Sequence, residues 1–304
     1  MGNPLVSIVL CTYNGAPYIK EQIDSILNQT YRPIELIISD DASTDGTQGI
    51  LQCYENNPVV KAVYQPTNLG LTKNFAFAAE KASGEWIAFS DQDDIWVQNK
   101  IQRLVDSIDG YPLVYSNSLL VNESGEVMHK RLSDLRNMYT GDDSRGYVLY
   151  SCVWGHGMLI TKELLRQSLP LPLGVHHDIW ITFRAFRMGG IKYLDEILTH
   201  YRQHGRSTSK TLPLKRFGRR NIHRYIDYQT KLHWINLMAS TERLTYQSFY
   251  QELVRLYGQK GRRNFVYQLP IFMLKHRKAL FIFSRKSFIS QFIELIKQGR
   301  GERA

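Results

Sequence analysis

The sequence predicts an α/β protein, with a doubly wound, mostly parallel sheet in its first two thirds and a basic helical region behind it. Three observations carry this reading. Short apolar runs alternate with helical patterns through the first 120 residues, polar and acidic residues stand directly after those runs, and the charge balance changes near residue 210. Repeated strand-turn-helix units build parallel sheets that are covered on both faces.

The elements follow in order. Residues 5–11 are a β-branched apolar run and read as a strand. Ile19, Ile23, Ile26 and Leu27 then recur at helical spacing, so residues 17–28 read as a helix with Pro17 near its start. Residues 34–39 read as a second strand, followed by a polar turn and a helix through Ile50 and Leu51. Residues 59–64 are a third, followed by a turn at Asn68-Leu69-Gly70 and a helix over 73–82. Residues 86–90 are a fourth, followed by an acidic turn and a helix beginning near Gln98, and Val114 and Tyr115 suggest a fifth. From about 125 to 175 the regularity fades into what reads as loops and antiparallel strands. Residues 178–188 have helical spacing, and 191–200 read as a strand.

A chain of 304 residues, 43% hydrophobic, has ample material for a large core with an appendage. The formal charge of +10 suggests nucleic acid at first sight, but it is unevenly placed. Residues 1–210 hold 19 Lys and Arg against 23 Asp and Glu, whereas 211–304 hold 19 against 5. The expected division is therefore an α/β domain over 1–210 and a basic helical region over 211–304. Cys11, Cys53 and Cys152 are odd in number and widely spaced, which suits a reducing compartment better than a disulfide framework. The apolar start has no basic flank and no cleavage site, and no run reaches the length of a membrane span, so a soluble or peripheral protein is expected.

The residues able to carry chemistry lie at the carboxyl ends of the expected strands, where open α/β sheets bind ligands. They are Thr12-Tyr13-Asn14 after the first, Asp40-Asp41 after the second and Asp91-Gln92-Asp93-Asp94 after the fourth. Three acids in four positions repel one another unless a cation compensates, and oxygen ligands select magnesium or manganese held against phosphates. The alternative is an acidic cap for the next helix. Asp40, Asp41 and Asp45 likewise read either as a site or as a capping turn. Neither type of glycine-rich phosphate loop is present, so a nucleotide would be held through metal and carboxylates.

These stretches resemble the family 2 glycosyltransferases of GT-A fold, and in particular bacterial rhamnosyltransferase-like members. The matching segments are residues 6–14, 37–47, 68–70, 89–96, His177-Asp178-Ile179-Trp180 and Tyr201-Arg202-Gln203-His204. The resemblance covers about residues 4–210 and implies a Rossmann-like, mostly parallel sheet flanked by helices. It implies that Thr12, Tyr13 and Asp41 serve the nucleobase, that Asp91 faces the ribose with Lys73 nearby, and that Asp93 binds Mn2+ or Mg2+. Arg202 and His204, with Arg206 beside them, match the segment that closes over the diphosphate. Asp178 matches the base that deprotonates the acceptor in an inverting transfer, and His177 stands where the wider family has a glutamate. His176, His177, Asp178 and His204 have no zinc-site spacing. Trp154, His156 and Trp180 suit an acceptor pocket, since aromatic faces suit sugar rings, or plain core packing.

The expected partners are a thymidine or uridine diphosphate sugar, including dTDP-rhamnose, and a saccharide or lipid-linked saccharide acceptor, with no nucleic acid. The basic tail, with Phe217, Tyr225, Tyr228, Leu232 and Ile235 and later Phe288, Phe292, Leu295 and Ile296, reads as helices that pack on the catalytic domain or adsorb to an anionic membrane. The expected location is the cytoplasmic face of the cell membrane. Two rival functions remain: a catalytically silent assembly subunit, and a sugar-phosphate nucleotidyltransferase. The second normally carries a glycine-rich, arginine-containing loop where this chain has Thr12-Tyr13-Asn14-Gly15.

Overall fold

The computed structural model describes residues 2–205, 220–241 and 245–301. Arg206 and Phe217, the expected boundary at 210 and the side chain of Tyr225 lie outside the described residues. Those up to Asp142, with those from Cys152 to 205, form one compact unit, and Asp143–Ser151 with those from 220 onward form a second.

The first unit runs β1 (Val6–Thr12), α1 (Ile19–Leu27), β2 (Ile34–Asp40), α2 (Thr47–Gln52), β3 (Val60–Tyr64), α3 (Leu71–Ala79), β4 (Trp86–Ser90), β5 (Ile95–Trp96), α4 (Lys100–Asp106), β6 (Leu113–Val121), β7 (Val127–Arg131), β8 (Met158–Thr161), α5 (Lys162–Ser168), α6 (His177–Phe186) and β9 (Ile191–Arg202). The sheet order is β3-β2-β1-β4-β8-β6-β9-β5, with β7 pairing antiparallel to the carboxyl end of β6 at Leu119 and Val121. β3, β2, β1 and β4 are mutually parallel. β8 runs antiparallel between β4 and β6, and β9 pairs in parallel with β6. Every residue of β1 and β2 is buried, which is why these strands read as unbroken apolar runs rather than alternating ones.

The register positions the site. Thr12 lies opposite Asp40 and Leu10 opposite Ser90, so the segments after β1, β2 and β4 emerge at the same end of the sheet. α3 starts at Leu71, two residues before its expected start, because Gly70 (φ +81°) turns the chain into it. Buried Asn74 then fixes the helix to β2: Ser39 Oγ donates to its Oδ1 at 2.6 Å, and its Nδ2 donates to the Ser39 carbonyl at 3.0 Å.

At the other end of the sheet, buried Glu35 accepts hydrogen bonds from Ser7 Oγ (2.6 Å), Ser83 N (2.8 Å), Ser83 Oγ (2.7 Å) and Lys61 Nζ (2.6 Å). Burial alone raises the pKa of a carboxyl, yet these donors hold Glu35 down at about 2 against an ordinary 4.5. Because the folded value is depressed, the stabilisation is complete above pH 4.5 and disappears as the pH falls toward 2. Glu35→Gln is expected to lower stability by about 2 kcal/mol at neutral pH, with the gap narrowing in acid, as urea unfolding midpoints at several pH values would report.

The second unit contains α7 (Arg220–Thr241), α8 (Gln247–Gly258), α9 (Gln268–Lys275), α10 (Arg277–Leu280) and α11 (Phe288–Gln298). Its core includes Trp234, Ile235, Phe249, Leu253, Met273 and Phe283. Residues 143–151 thread this helical unit: Trp234 Nε1 donates to the Tyr147 carbonyl (3.2 Å) and Tyr250 Oη to Ser144 Oγ (3.0 Å). A Cβ on Gly146 would come within 2.4 Å of the Phe283 ring, so only glycine allows that approach. Among the described residues no helix is long and apolar enough to cross a membrane.

Candidate active site

The segment after β1 is clasped by one side chain. Thr12 Oγ1 (2.7 Å) and the Tyr13 N–H (2.9 Å) both donate to Gln92 Oε1, and Gln92 Nε2 donates back to the Tyr13 carbonyl (3.3 Å). Thr12 is buried, while the Tyr13 ring is 47% exposed at the mouth. Asp41 is buried, and its two oxygens accept from Leu69 N (2.6 Å) and Gly70 N (2.9 Å). It thereby ties the end of β2 to the turn that starts α3, whose first turn carries exposed Lys73. Each Asp41 oxygen keeps a second lone pair for another donor. Asp40 and Asp45 serve as turn residues. The first accepts from Ser43 N and Gln48 Nε2, the second from Ala16 N and from the Thr47 N–H and hydroxyl.

The acids after β4 do not cap the next helix. α4 begins only at Lys100, beyond β5, and its N-cap is Asn99. Instead Asp93 turns to His204 while Asp91 and Asp94 converge on His156. Asp93 Oδ2 lies 2.7 Å from His204 Nε2. Asp94 is buried, with Oδ1 accepting from Arg202 N (3.1 Å) and Oδ2 lacking a hydrogen-bond partner 3.5 Å from His156 Nδ1. Asp91 is half-exposed, 3.7 Å from the same nitrogen. Ligand atoms of Asp91, Asp94 and His156 all lie within 4.8 Å of one another.

The electrostatics follow from this crowding. Burial, then the charges of Asp93 and Asp91, push the Asp94 carboxyl well above the usual range. Loss of solvent also opposes ionisation of Asp91, but the neighbouring His156 ring holds its carboxyl below the usual value. Burial keeps His156 neutral-leaning and lowers Lys100, against the pull of Asp94 and Asp91. Fully buried Lys100 donates to the His156 carbonyl (2.5 Å) and to Thr199 Oγ1 (2.7 Å), and sits 3.8 Å from the centre of the Trp96 ring. An orphaned carboxylate oxygen among carboxylates and imidazoles is a donor set that suits a divalent cation.

Asp178 stands in the first turn of α6, half-buried, where Oδ1 accepts from Ile179 N (2.8 Å) and Oδ2 from Gly155 N (3.3 Å). Gly155 precedes His156 in one 3-10 turn, so this turn sets the candidate base beside the acidic cluster. A Cβ on Gly155 would meet His177 Nε2 at 2.7 Å. His177 itself is buried, stacked on Phe75 at 3.9 Å, with both ring nitrogens lacking a hydrogen bond. Burial lowers its pKa, so the ring replaces a family carboxylate with a neutral group.

Three residues have positions that change their reading. The aromatic-face argument puts His156 and Trp180 at the acceptor, but both are buried. His156 bonds Ser118 Oγ at 3.0 Å among the acids. Trp180 donates to the Ser168 carbonyl at 2.8 Å and packs on Phe183, which is the core alternative. Trp154 is half-buried at the start of the 3-10 turn and keeps part of its surface open. Arg202 is engaged internally: Nε donates to the Asp93 carbonyl (2.8 Å), one Nη to the Glu123 carbonyl (2.8 Å) and the other to Glu21 (2.5 Å), over the Tyr18 ring. His204 stacks on the same ring, at 4.8 Å. Gln92, Lys100 and Glu21 are the residues that motif reading passes over. Only Gln92 had a visible signal, its place inside the acidic motif.

Known proteins similar to this chain fall in one family. The family model "Glycosyl transferase family 2" matches residues 7–169. TuaG of Bacillus subtilis, named as a teichuronic acid biosynthesis glycosyltransferase, is 29% identical over 203 residues, covering 66% of this chain and 79% of that protein. An uncharacterized glycosyltransferase of Rickettsia prowazekii, RP339, is 30% identical over 217 residues, covering 69% of this chain and 67% of its own. Among solved structures, S. aureus TarS 1-349 in complex with UDP-GlcNAc superposes with a TM-score of 0.62 at 19% identity, over 97% of this chain and 82% of that one. The mannosyltransferase PcManGT of Pyrobaculum calidifontis, in complex with GDP-Man and Mn2+, does so with a TM-score of 0.59 at 18% identity, over 97% and 86%. These structural likenesses establish the fold.

Proposed function

The chain belongs to glycosyl transferase family 2 and has the GT-A fold, and from that premise we propose that it is an inverting, divalent-cation-dependent transferase. It moves a sugar from a thymidine or uridine diphosphate donor, dTDP-rhamnose being the one the resemblance suggests, to a hydroxyl of a saccharide or lipid-linked acceptor at the inner face of a membrane. The observation that carries the reading is the 3-10 turn Gly155–Gly157, which holds Asp178 by a backbone N–H and presents His156 to Asp91 and Asp94.

In this reading Thr12, Tyr13 and Asp41 receive the base, with Lys73 on the adjoining helix and Asp91 toward the ribose. Asp93, beside the cluster of Asp91, Asp94 and His156 that offers the donor atoms, would hold Mn2+ or Mg2+, which when bound neutralises charge developing on the departing diphosphate. Asp178 takes the acceptor proton while the acceptor oxygen bonds to the anomeric carbon from the face opposite the diphosphate. The bond from that carbon to the phosphate oxygen breaks, and the nucleoside diphosphate leaves with the electron pair. Trp154 offers its open face to the acceptor, Arg202 fixes the loops around Asp93, and the basic C-terminal region meets the membrane. An intact acidic motif and an intact Asp178 speak against a silent subunit.

The test is a panel of nucleotide sugars with manganese, read as nucleoside diphosphate release. Release from a thymidine or uridine donor, abolished by chelator, is expected; no release from any donor would sink the reading. The clasp makes a separate prediction. A Cβ on Gly15 would lie 2.5 Å from Gln92 Oε1 and 2.7 Å from Thr12 Oγ1, so Gly15→Ala drives the Gln92 amide away. With the Thr12-Tyr13 segment released, affinity for the free nucleoside diphosphate should fall about tenfold by calorimetry, the loss of one to two hydrogen bonds.

A further inference from the structure

The second unit carries a surface that transfer chemistry leaves without a role. On α9, Tyr267, Ile271 and Leu274 follow one another at four- and three-residue spacing on one helix face and are 74, 68 and 42% exposed. On α11, Phe288, Ile289, Phe292, Ile293 and Ile296 are between 41 and 71% exposed, while Leu295 is buried. The two helices pack together: Val266 N donates to the Gly299 carbonyl at 2.7 Å, and Gly299 lies so close to Phe265 that a Cβ would come within 2.7 Å of the ring. Adjacent helices that turn their large apolar side chains outward invert the arrangement of a soluble bundle.

The rim of this face is basic and concave. A cleft of about 310 Å³ is lined by Leu274, which belongs to the apolar face, together with Arg145, Lys275, Arg277 and Lys278. The Arg277 guanidinium lies 4.8 Å from the Phe288 ring, which joins the cationic rim to the apolar side chains of α11. The excess of 19 basic over 5 acidic residues from 211 onward sets the sign of the partner. A second copy of the chain would bring the same cations against each other. An anionic bilayer supplies an apolar interior and a negatively charged surface together.

We propose that this face docks on an anionic lipid bilayer. The exposed side chains of α9 and α11 enter the acyl boundary, and a headgroup phosphate occupies the cleft at Lys275, Arg277 and Lys278, beside an Arg145 that Asp143 already holds. The proposal rests on the transferase reading only for its purpose, which is to hold the enzyme where a lipid-linked acceptor lies. Absence of any helix able to span a membrane among the described residues suits a helix pair lying in the interface.

The test is flotation of the purified chain with phosphatidylcholine vesicles made with and without phosphatidylglycerol. Binding is expected only to the anionic vesicles, and it should weaken in high salt. Lys275→Glu with Lys278→Glu should weaken it by about twentyfold or more, at about fivefold for each lost cation. Phe292→Ser with Ile293→Ser, both at exposed positions, should weaken it by at least about tenfold through lost apolar insertion. Circular dichroism and nucleoside diphosphate release in solution should stay at the parental level in both variants. Binding that ignores lipid charge, binding unchanged in both variants, or a dimer in sedimentation velocity that the serine variant dissolves would each overturn the proposal. A chain that binds vesicles but releases no nucleoside diphosphate would refute the transferase reading and leave the docking surface standing.

Discussion

Asp178→Asn should bind nucleotide sugar as tightly as the parent chain and transfer it at least about a thousandfold more slowly, the range of a lost general base. The substitution is close to isosteric. Asp178 accepts from Ile179 N and Gly155 N, and an asparagine oxygen retains one of these contacts, so the turn loses a single hydrogen bond worth about 1 kcal/mol. That local cost is too small to account for a thousandfold effect, which isolates the missing proton acceptor. Calorimetry with donor and a radiolabelled transfer assay separate the two quantities. Transfer within tenfold of the parent would remove Asp178 from the role.

The second large effect is at Asp93. Asp93→Ala should abolish manganese-dependent release, a loss of about a thousandfold or more, and chelation of the parent chain should match it. The change removes the Asp93 contact with His204 but leaves the grip of Arg202 on the Asp93 carbonyl, which should hold the loops together. Asp94→Asn makes the contrast. Its carboxyl is buried and crowded by Asp93 and Asp91, and asparagine keeps an oxygen for Arg202 N, so that variant should hold its melting temperature while activity falls. Manganese binding followed by electron paramagnetic resonance gives the direct check. An Asp93→Ala protein that still binds manganese with nucleoside diphosphate at parental affinity would show that the ion is held elsewhere.

In the parallel half of the sheet β1, β2 and most of β4 were readable because they are buried on both faces and so appear as apolar runs. β8 was not, because Met158–Thr161 is only four residues long and owes its place to antiparallel pairing with β4 and β6, distant in sequence. Nor does any local pattern announce that residues 143–151 join the helical unit, since their partners are Trp234 and Tyr250. The acidic motif is legible by position, as acids directly after a strand. The separate environments of its members are not, because they depend on side chains that arrive from the 3-10 turn and from the end of β9. His156 and Trp180 illustrate the limit of reasoning from residue type: Trp180 packs in the core, whereas His156 is buried among the acids of the candidate site.

Arg202 has a consequence for what this unit can tolerate. Its forked head reaches the carbonyls of Asp93 and Glu123 and the carboxylate of Glu21, three points on stretches of chain distant in sequence. A lysine there is a single ammonium on a flexible stem and cannot reproduce the planar fork. The same geometry ties the lengths of the joined segments to one another: a residue inserted into one pulls the common tether away from the other two. Engineered insertions should therefore be borne poorly at these junctions and more easily in surface turns away from that guanidinium.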